Sequence, residues 1–195
     1  MNIAAKLNAH LWVRHPDDYY IEPAWCSERL FAVEKFSGWI VDPACGSGRI
    51  IASAHAAGLP AYGTDKVKRS DRCDFTQDFL SDNWFPIPYR VDNMVSNPPF
   101  GVAQKFAETA LERARKKVAL LLPTAWVQGN KRSRWLATTP LRRVLFIAPR
   151  PSMPPGPVIE AGIEPGGGTM DYAWFIWHLG FDGKPELGWL WKGAA

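Results

Sequence analysis

The chain has 195 residues, 47% of them hydrophobic and 22% charged, with a formal net charge of +4 and a pI near 9.0. That length suits one well-buried α/β domain and is too short for two of ordinary size, while the mildly basic balance favours a polyanionic partner without requiring one. The cysteines Cys26, Cys45 and Cys73 form no Cys-x-x-Cys pair, which argues against a disulfide framework and a zinc site. No metal is therefore expected, and the expected setting is a reducing cytoplasm. No run approaches the roughly 18 apolar residues of a spanning helix, and the start lacks a basic segment followed by an apolar core, so no membrane is expected.

Residues 1–16 offer at most a short amphipathic arm around Leu7, Leu11 and Trp12. A helix follows Pro23, a residue suited to a first helical position, with Leu30, Phe31 and Phe36 along its apolar side. The apolar run at 39–41 ends on Asp42 as a first strand; a glycine-rich turn and a helix over 49–57 follow, closed by Gly58. A second strand over 61–65 finishes on Asp65, residues 72–75 read as a third, and residues 92–96 as a fourth. Next come a helix over 102–115 with Phe106, Ala110 and Leu111 on one face, then a strand over 117–123 that is apolar on both faces, as central parallel strands are. A polar helix over 125–138 leads to a sixth strand at 141–148, and the aromatic stretch 171–179 makes a seventh, with His178 a sheet-end residue. Between the last two lies residues 150–170, rich in Pro and Gly and too long for an idle connection in a compact domain. Basic residues fall in runs at Lys66, Lys68, Arg69 and Arg72, at Arg113, Arg115, Lys116 and Lys117, at Lys131, Arg132 and Arg134, and at Arg142 and Arg143. Each run reads equally well as a solvated helix end.

Two stretches carry chemistry. In Asp42-Pro43-Ala44-Cys45-Gly46-Ser47-Gly48 the strand, turn, helix order is that of a nucleotide-type site, and Gly46 and Gly48 permit a tight turn with room for a ligand. Ile51 stands where a dinucleotide fingerprint has its third glycine, and a carboxylate at Asp42 would repel a pyrophosphate. An acid here suits a cofactor carrying an amino group. Asp65, about 20 residues past the first glycine, falls where nucleoside-binding folds place the acid that accepts ribose hydroxyls; a helix cap or turn acid is the plainer alternative. The second stretch, Asn97-Pro98-Pro99-Phe100, can hold a planar amine. The prolines fix the backbone and remove two donors, the Asn97 side-chain oxygen and the Pro98 carbonyl can each accept from one NH2 group, and Phe100 can stack on the ring that carries it. A proline turn ending a buried strand is the ordinary alternative.

Taken together, these residues resemble the class I S-adenosylmethionine-dependent methyltransferases, specifically the DNA adenine-N6 enzymes of phage and prophage type. The likeness extends over most of the chain. It implies a single Rossmann-like, doubly wound, mostly parallel seven-stranded sheet with an antiparallel last strand. It further implies one domain over 1–195, comprising an N-terminal arm and helix through residue 36 and a substrate loop at 150–170. S-adenosylmethionine is the implied cofactor, bound by Tyr20, Pro23, Asp42, Ala44, Cys45, Gly46, Gly48, Asp65, Asp78, Phe79 and Asn97, with Asp74-Phe75 as a rival to Asp78-Phe79. Asn97, Pro98, Pro99 and Phe100 are the implied catalytic group. Arg150-Pro151-Ser152, followed later by residues 171–175, resembles the loop that lies near the target base in phage enzymes, which makes Arg150 and Phe100 substrate contacts.

The implied reaction is direct attack of an adenine amino nitrogen on the cofactor's methyl group, with DNA favoured over RNA. Cys45 sits in the cofactor turn and not beside the amine holder, so it reads as small filler instead of a cytosine-type nucleophile. The competing readings are an RNA adenine methyltransferase, a protein glutamine methyltransferase, which usually carries tyrosine where Phe100 stands, and a nucleotide-binding scaffold without catalysis. Because little chain follows the seventh strand, relaxed sequence preference is expected.

Overall fold

A computed structural model describes residues 15–84 and 91–193. The amphipathic arm expected around Leu7, Leu11 and Trp12 lies outside the described residues. Eight strands form one sheet: β1 (Ile40–Asp42), β2 (Ala61–Asp65), β3 (Phe75–Thr76), β4 (Asn93–Ser96), β5 (Lys117–Pro123), β6 (Leu141–Ala148), β7 (Tyr172–His178) and β8 (Glu186–Trp191). Their spatial order is β3-β2-β1-β4-β5-β7-β6-β8. Only β7 runs antiparallel, to β5 on one side and β6 on the other. β8 corrects the seven-strand expectation by adding a parallel strand on the free side of β6, from Arg143↔Glu186 to Ala148↔Trp191.

Five α-helices lie among the described residues: α1 (Ala24–Val33), α2 (Arg49–Ala56), α3 (Ala103–Arg113), α4 (Asn130–Leu136) and the short α5 (Gly156–Glu160). Several boundaries differ from those read in the sequence, each for a local reason. Pro23 is the cap before α1, in extended backbone, and not its first helical residue; Phe36 lies beyond the helix yet packs edge-on against Phe31. The segment expected as one helix over 125–138 is a 3₁₀ stretch, Thr124–Gln128, and then α4, separated where Gly129 adopts extended backbone. A 3₁₀ turn, Phe100–Val102, precedes α3 and is entered from Pro99 (φ −57°, ψ 122°). β3 is two residues long and starts at Phe75, not at Arg72. No helix among the described residues is long and apolar enough to cross a membrane.

The sheet is apolar on both faces because it is covered on both. Leu30 of α1 and Ile50 and Ile51 of α2 pack with Val95, Leu121, Trp174 and Ile176 on one side. Phe106 and Ala110 of α3 and Leu136 of α4 pack with Leu120, Phe175 and Trp177 on the other. β7 is buried over all of its length except the exposed His178, as its alternating aromatics suggested. Trp174 is fully buried, and its indole Nε1 donates to the Cys26 carbonyl at 3.0 Å, tying the sheet centre to α1. Trp174→Ala is expected to lower the unfolding free energy by about 3–5 kcal/mol, read from the chemical denaturation midpoint, because it opens a large cavity and removes the tie to α1.

The chain leaves β1 outward to β2 and β3, then returns to lay β4 on the opposite flank of β1. Strand order therefore reverses between β1 and β4, and ligands of open α/β sheets bind beyond the carboxyl ends of strands at such a reversal. The glycine turn follows β1 and the asparagine-proline corner follows β4, so the topology brings both motifs to one edge.

Candidate functional site

At that edge lies a cavity of about 490 Å³, within the range of roughly 300–1,000 Å³ usual for small-molecule sites. Of the residues singled out in the sequence, Tyr20, Asp42, Ala44, Cys45, Gly46, Asp65, Asp78, Phe79, Asn97 and Pro99 line it. Pro23, Gly48, Pro98, Phe100 and Arg150 do not. Gly48 instead takes the left-handed backbone (φ +76°) that turns the chain into α2, where a side chain would strike Arg72. Of the rival pairs, Asp78 and Phe79 line the cavity, whereas Asp74 binds the Gly63 amide and neither it nor Phe75 lines the cavity.

Asp42 ends β1, almost completely buried. Its Oδ1 accepts from the Ser96 hydroxyl of β4 at 2.7 Å and from the Ala44 amide at 3.1 Å. Burial pushes the Asp42 carboxyl well above the usual range, the two hydrogen bonds oppose this, and the charges of Glu22 and Asp65 add to the rise. Asp65, at the end of β2, receives the Gly46 amide at 2.8 Å on Oδ2, and the Val67 amide and Arg69 guanidinium, both at 3.1 Å, on Oδ1. It thereby fixes the glycine turn from the side. Asp78 accepts from the Leu80 amide at 2.9 Å and pairs with Lys66 at 3.0 Å, while Phe79 lies under the Arg113 guanidinium and against Phe106.

The opposite wall is residues 16–22, in neither helix nor strand, which sequence reading left nearly unassigned. Asp18 accepts from the Gly101 amide at 2.9 Å, and an isolated bridge joins Tyr20 to Pro155 in the proline-rich segment. Arg69 Nη2 donates to Asp17 at 2.9 Å, and its guanidinium lies 4.4 Å from the centre of the Tyr19 ring. The Tyr19 ring is wedged between Gly46 and Gly156, where added Cβ atoms would come within 2.9 and 1.8 Å of it, and its hydroxyl donates to Glu160 at 2.9 Å. Residues 150–170 are thus no structureless loop: they contain α5 and clasp this wall.

The asparagine corner is closed from the same wall. Asn97 Nδ2 donates to the Tyr20 carbonyl at 3.2 Å and to Glu22 Oε2 at 2.9 Å. Asn97 Oδ1 is buried with no hydrogen-bond partner among the described residues. Glu22, which carries no local sequence signal, is buried; burial raises its carboxyl above the usual range, and the Asn97 hydrogen bond acts against that rise. Phe100 stacks on Tyr20, with centroids 6.1 Å apart and planes 12° from parallel, and is tilted against Tyr172.

The basic runs are largely occupied within the fold: Arg69 turns inward to Asp65 and Asp17, Arg113 donates to the Phe79 and Ser81 carbonyls, Lys117 and Arg143 share Glu34, and Arg132 donates to the Trp126 carbonyl. Arg150 is exposed and already forms a two-point ion pair with Asp171, at 2.7 and 3.3 Å. The Cys45 side chain packs against Gly63, and burial pushes its thiol up, away from a reactive thiolate.

No family model and no curated protein matches the chain in sequence. Solved structures do resemble it in fold. A candidate class I S-adenosylmethionine-dependent methyltransferase from Listeria monocytogenes superimposes with a TM-score of 0.54 at 14% identity, over 86% of this chain and 62% of its own. An S-adenosylmethionine-dependent O-methyltransferase from Thermotoga maritima gives 0.52 at 15% identity, over 89% and 69%. Magnesium protoporphyrin IX methyltransferase from Synechocystis, solved with bound S-adenosylmethionine, gives 0.50 at 14%, over 78% and 76%. The architecture is the Rossmann-like methyltransferase fold. The chain spans less than two thirds of the length of the Listeria protein.

Proposed function

We propose that this chain transfers the methyl group of S-adenosylmethionine to the exocyclic amino nitrogen of adenine in nucleic acid, with DNA favoured over RNA. The observation that carries the reading is the Asn97 amide, whose NH2 is fully engaged while its buried oxygen waits for a donor. An orphaned buried acceptor costs free energy and calls for a function.

The residues of the cavity suit the cofactor. Buried Asp42 would answer an ammonium group, the Gly46 turn would leave room for a close approach, and Asp65, Asp78 and Phe79, which line the same cavity, would meet a nucleoside's hydroxyls, amine and ring face. Bound S-adenosylmethionine supplies an electrophilic methyl group on a sulfonium. The chain's own part is to hold the nucleophile. An adenine amine is weakly nucleophilic because its lone pair is delocalised into the ring. Acceptors at Asn97 Oδ1 and the Pro98 carbonyl, set off the ring plane, favour the pyramidal nitrogen of the transition state and its developing positive charge. The proton is lost to solvent after attack, so no prior base is needed. A base within a duplex must be flipped out; Phe100 can receive it once the Tyr20 ring yields its place, the Tyr20 carbonyl remaining on Asn97. Phenylalanine at 100, where glutamine-modifying relatives usually carry tyrosine, supports a nucleobase as acceptor.

The test is radiolabelled methyl transfer to DNA, RNA and glutamine-containing peptide in parallel, with N6-methyladenine sought in the nucleoside digest. Label in DNA as N6-methyladenine is expected; product on RNA or peptide alone would overturn the substrate. Arg150 is proposed as a phosphate contact. Arg150→Ala is expected to weaken DNA binding uniformly across sequences and to reduce the salt slope by about one, measured by fluorescence anisotropy; unchanged binding would remove it from that role.

A further inference from the structure

We infer that Glu22 is a positioning residue, turning the Asn97 amide so that its oxygen and not its NH2 faces the substrate's amine. The inference rests on the reading that the acceptor is a planar amine. It concerns a residue 75 positions away in sequence from the one it orients.

The two ends of an asparagine amide have nearly the same shape, so neighbours decide which is which. Here the neighbours on one side receive the NH2: the Tyr20 carbonyl at 3.2 Å, which can only accept, and Glu22 Oε2 at 2.9 Å, which accepts from it. They oblige the NH2 to face them, which sends Oδ1 the other way, where it has no partner among the described residues. Glu22 is itself held. Arg49, the first residue of α2, donates from Nη1 to the Glu22 carbonyl at 2.8 Å. Without the Glu22 carboxylate, Asn97 keeps only the longer bond to the Tyr20 carbonyl. The flipped amide, which would point a donor at a donor, then becomes accessible. Glutamine at 22 leaves the Tyr20 carbonyl in place and can offer its own side-chain oxygen to Asn97, so it should restore the orientation.

The test combines kinetics with a signal that does not depend on turnover. In wild type, Glu22→Ala and Glu22→Gln, single-turnover methyl transfer is measured on whichever of the three acceptors above is modified. The Kd for S-adenosylhomocysteine is measured by calorimetry, and the Asn97 side-chain NH2 resonances are followed by NMR, assigned by their disappearance in Asn97→Ala. Glu22→Ala should shift or broaden the Asn97 NH2 pair and lower kcat by about 10- to 100-fold, the scale of a misplaced reacting group. KM and Kd should change less than about threefold, and Glu22→Gln should recover activity to within about fivefold. An unmoved Asn97 signal would overturn the inference. So would a loss confined to Kd, which would make Glu22 a cofactor ligand instead. If adenine is not modified but peptide glutamine is, the substrate proposal fails while the positioning role is still decided by the same numbers; if nothing is modified, the resonances alone decide it.

Discussion

Asn97→Ala is expected to lower kcat for methyl transfer by about 10²- to 10³-fold, the effect of removing one preorganised polar group aimed at developing charge. The substitution deletes the acceptor without disturbing the Pro98-Pro99 backbone, and the cavity on the far side of Asp42 and Gly46 remains. Affinity for S-adenosylhomocysteine should therefore change far less than the chemical step. Rapid-quench single-turnover assays beside calorimetry separate the two quantities. Loss of affinity with an intact chemical step would assign Asn97 to holding the cofactor and leave the amine holder without its central residue.

Cofactor affinity is expected to rise with pH across the mildly acidic range and to level off above it, and Asp42 is the main cause. Burial, ahead of any hydrogen bond, raises the Asp42 carboxyl, and the same is true of Glu22. A folded-state pKa above the unfolded one favours the neutral acid in the fold. The stability this contributes is fully present below the unfolded values of 3.8 and 4.5 and is lost as pH climbs through the raised ones. A ligand bearing an ammonium and a sulfonium reverses the preference, because opposite charge favours the carboxylate. Binding must then release protons wherever the free protein still holds them. Calorimetry in buffers of different ionisation enthalpy, run upward from the unfolded values of 3.8 and 4.5, should record that release, and the thermal shift caused by the ligand should be larger at the upper end. Asp42→Asn should cost about 1.5–3 kcal/mol of binding, the scale of a charged hydrogen bond, and should flatten the pH dependence. If Asp42→Asn keeps the slope and Glu22→Gln removes it, the proton belongs to Glu22.

How much of this was legible follows from where each signal resides. β5 and β7 announce themselves because a strand buried on both faces is a short apolar run, while β1, β2, β4 and β6 are legible from shorter apolar stretches beside turn residues. β8 is hidden because its burial is one-sided and slight: Leu190 is inside, whereas Leu187, Trp189 and Trp191 stay exposed, and Gly188 fits closely against Leu145. The glycine turn and the asparagine corner could be read since each works through neighbours in sequence. Glu22 and Arg69 could not, since their partners come from other parts of the chain. A glutamate before a proline looks like any helix entry, and an arginine in a basic run looks like any surface charge. Neither pattern tells that one will grip Asn97 and the other will turn inward over Tyr19.

The wall formed by residues 16–22 has a consequence for how the molecule divides its labour. One bank of the cleft is grown from the sheet, where ladders of main-chain bonds set every coordinate, and its shape is inherited from the fold. The other bank is moored by a few reversible ties, to Arg69, Glu160, Pro154 and Gly156. Evolution or an engineer can therefore alter what the cleft admits by re-tying those moorings, provided the Tyr20 and Glu22 holds on Asn97 are kept.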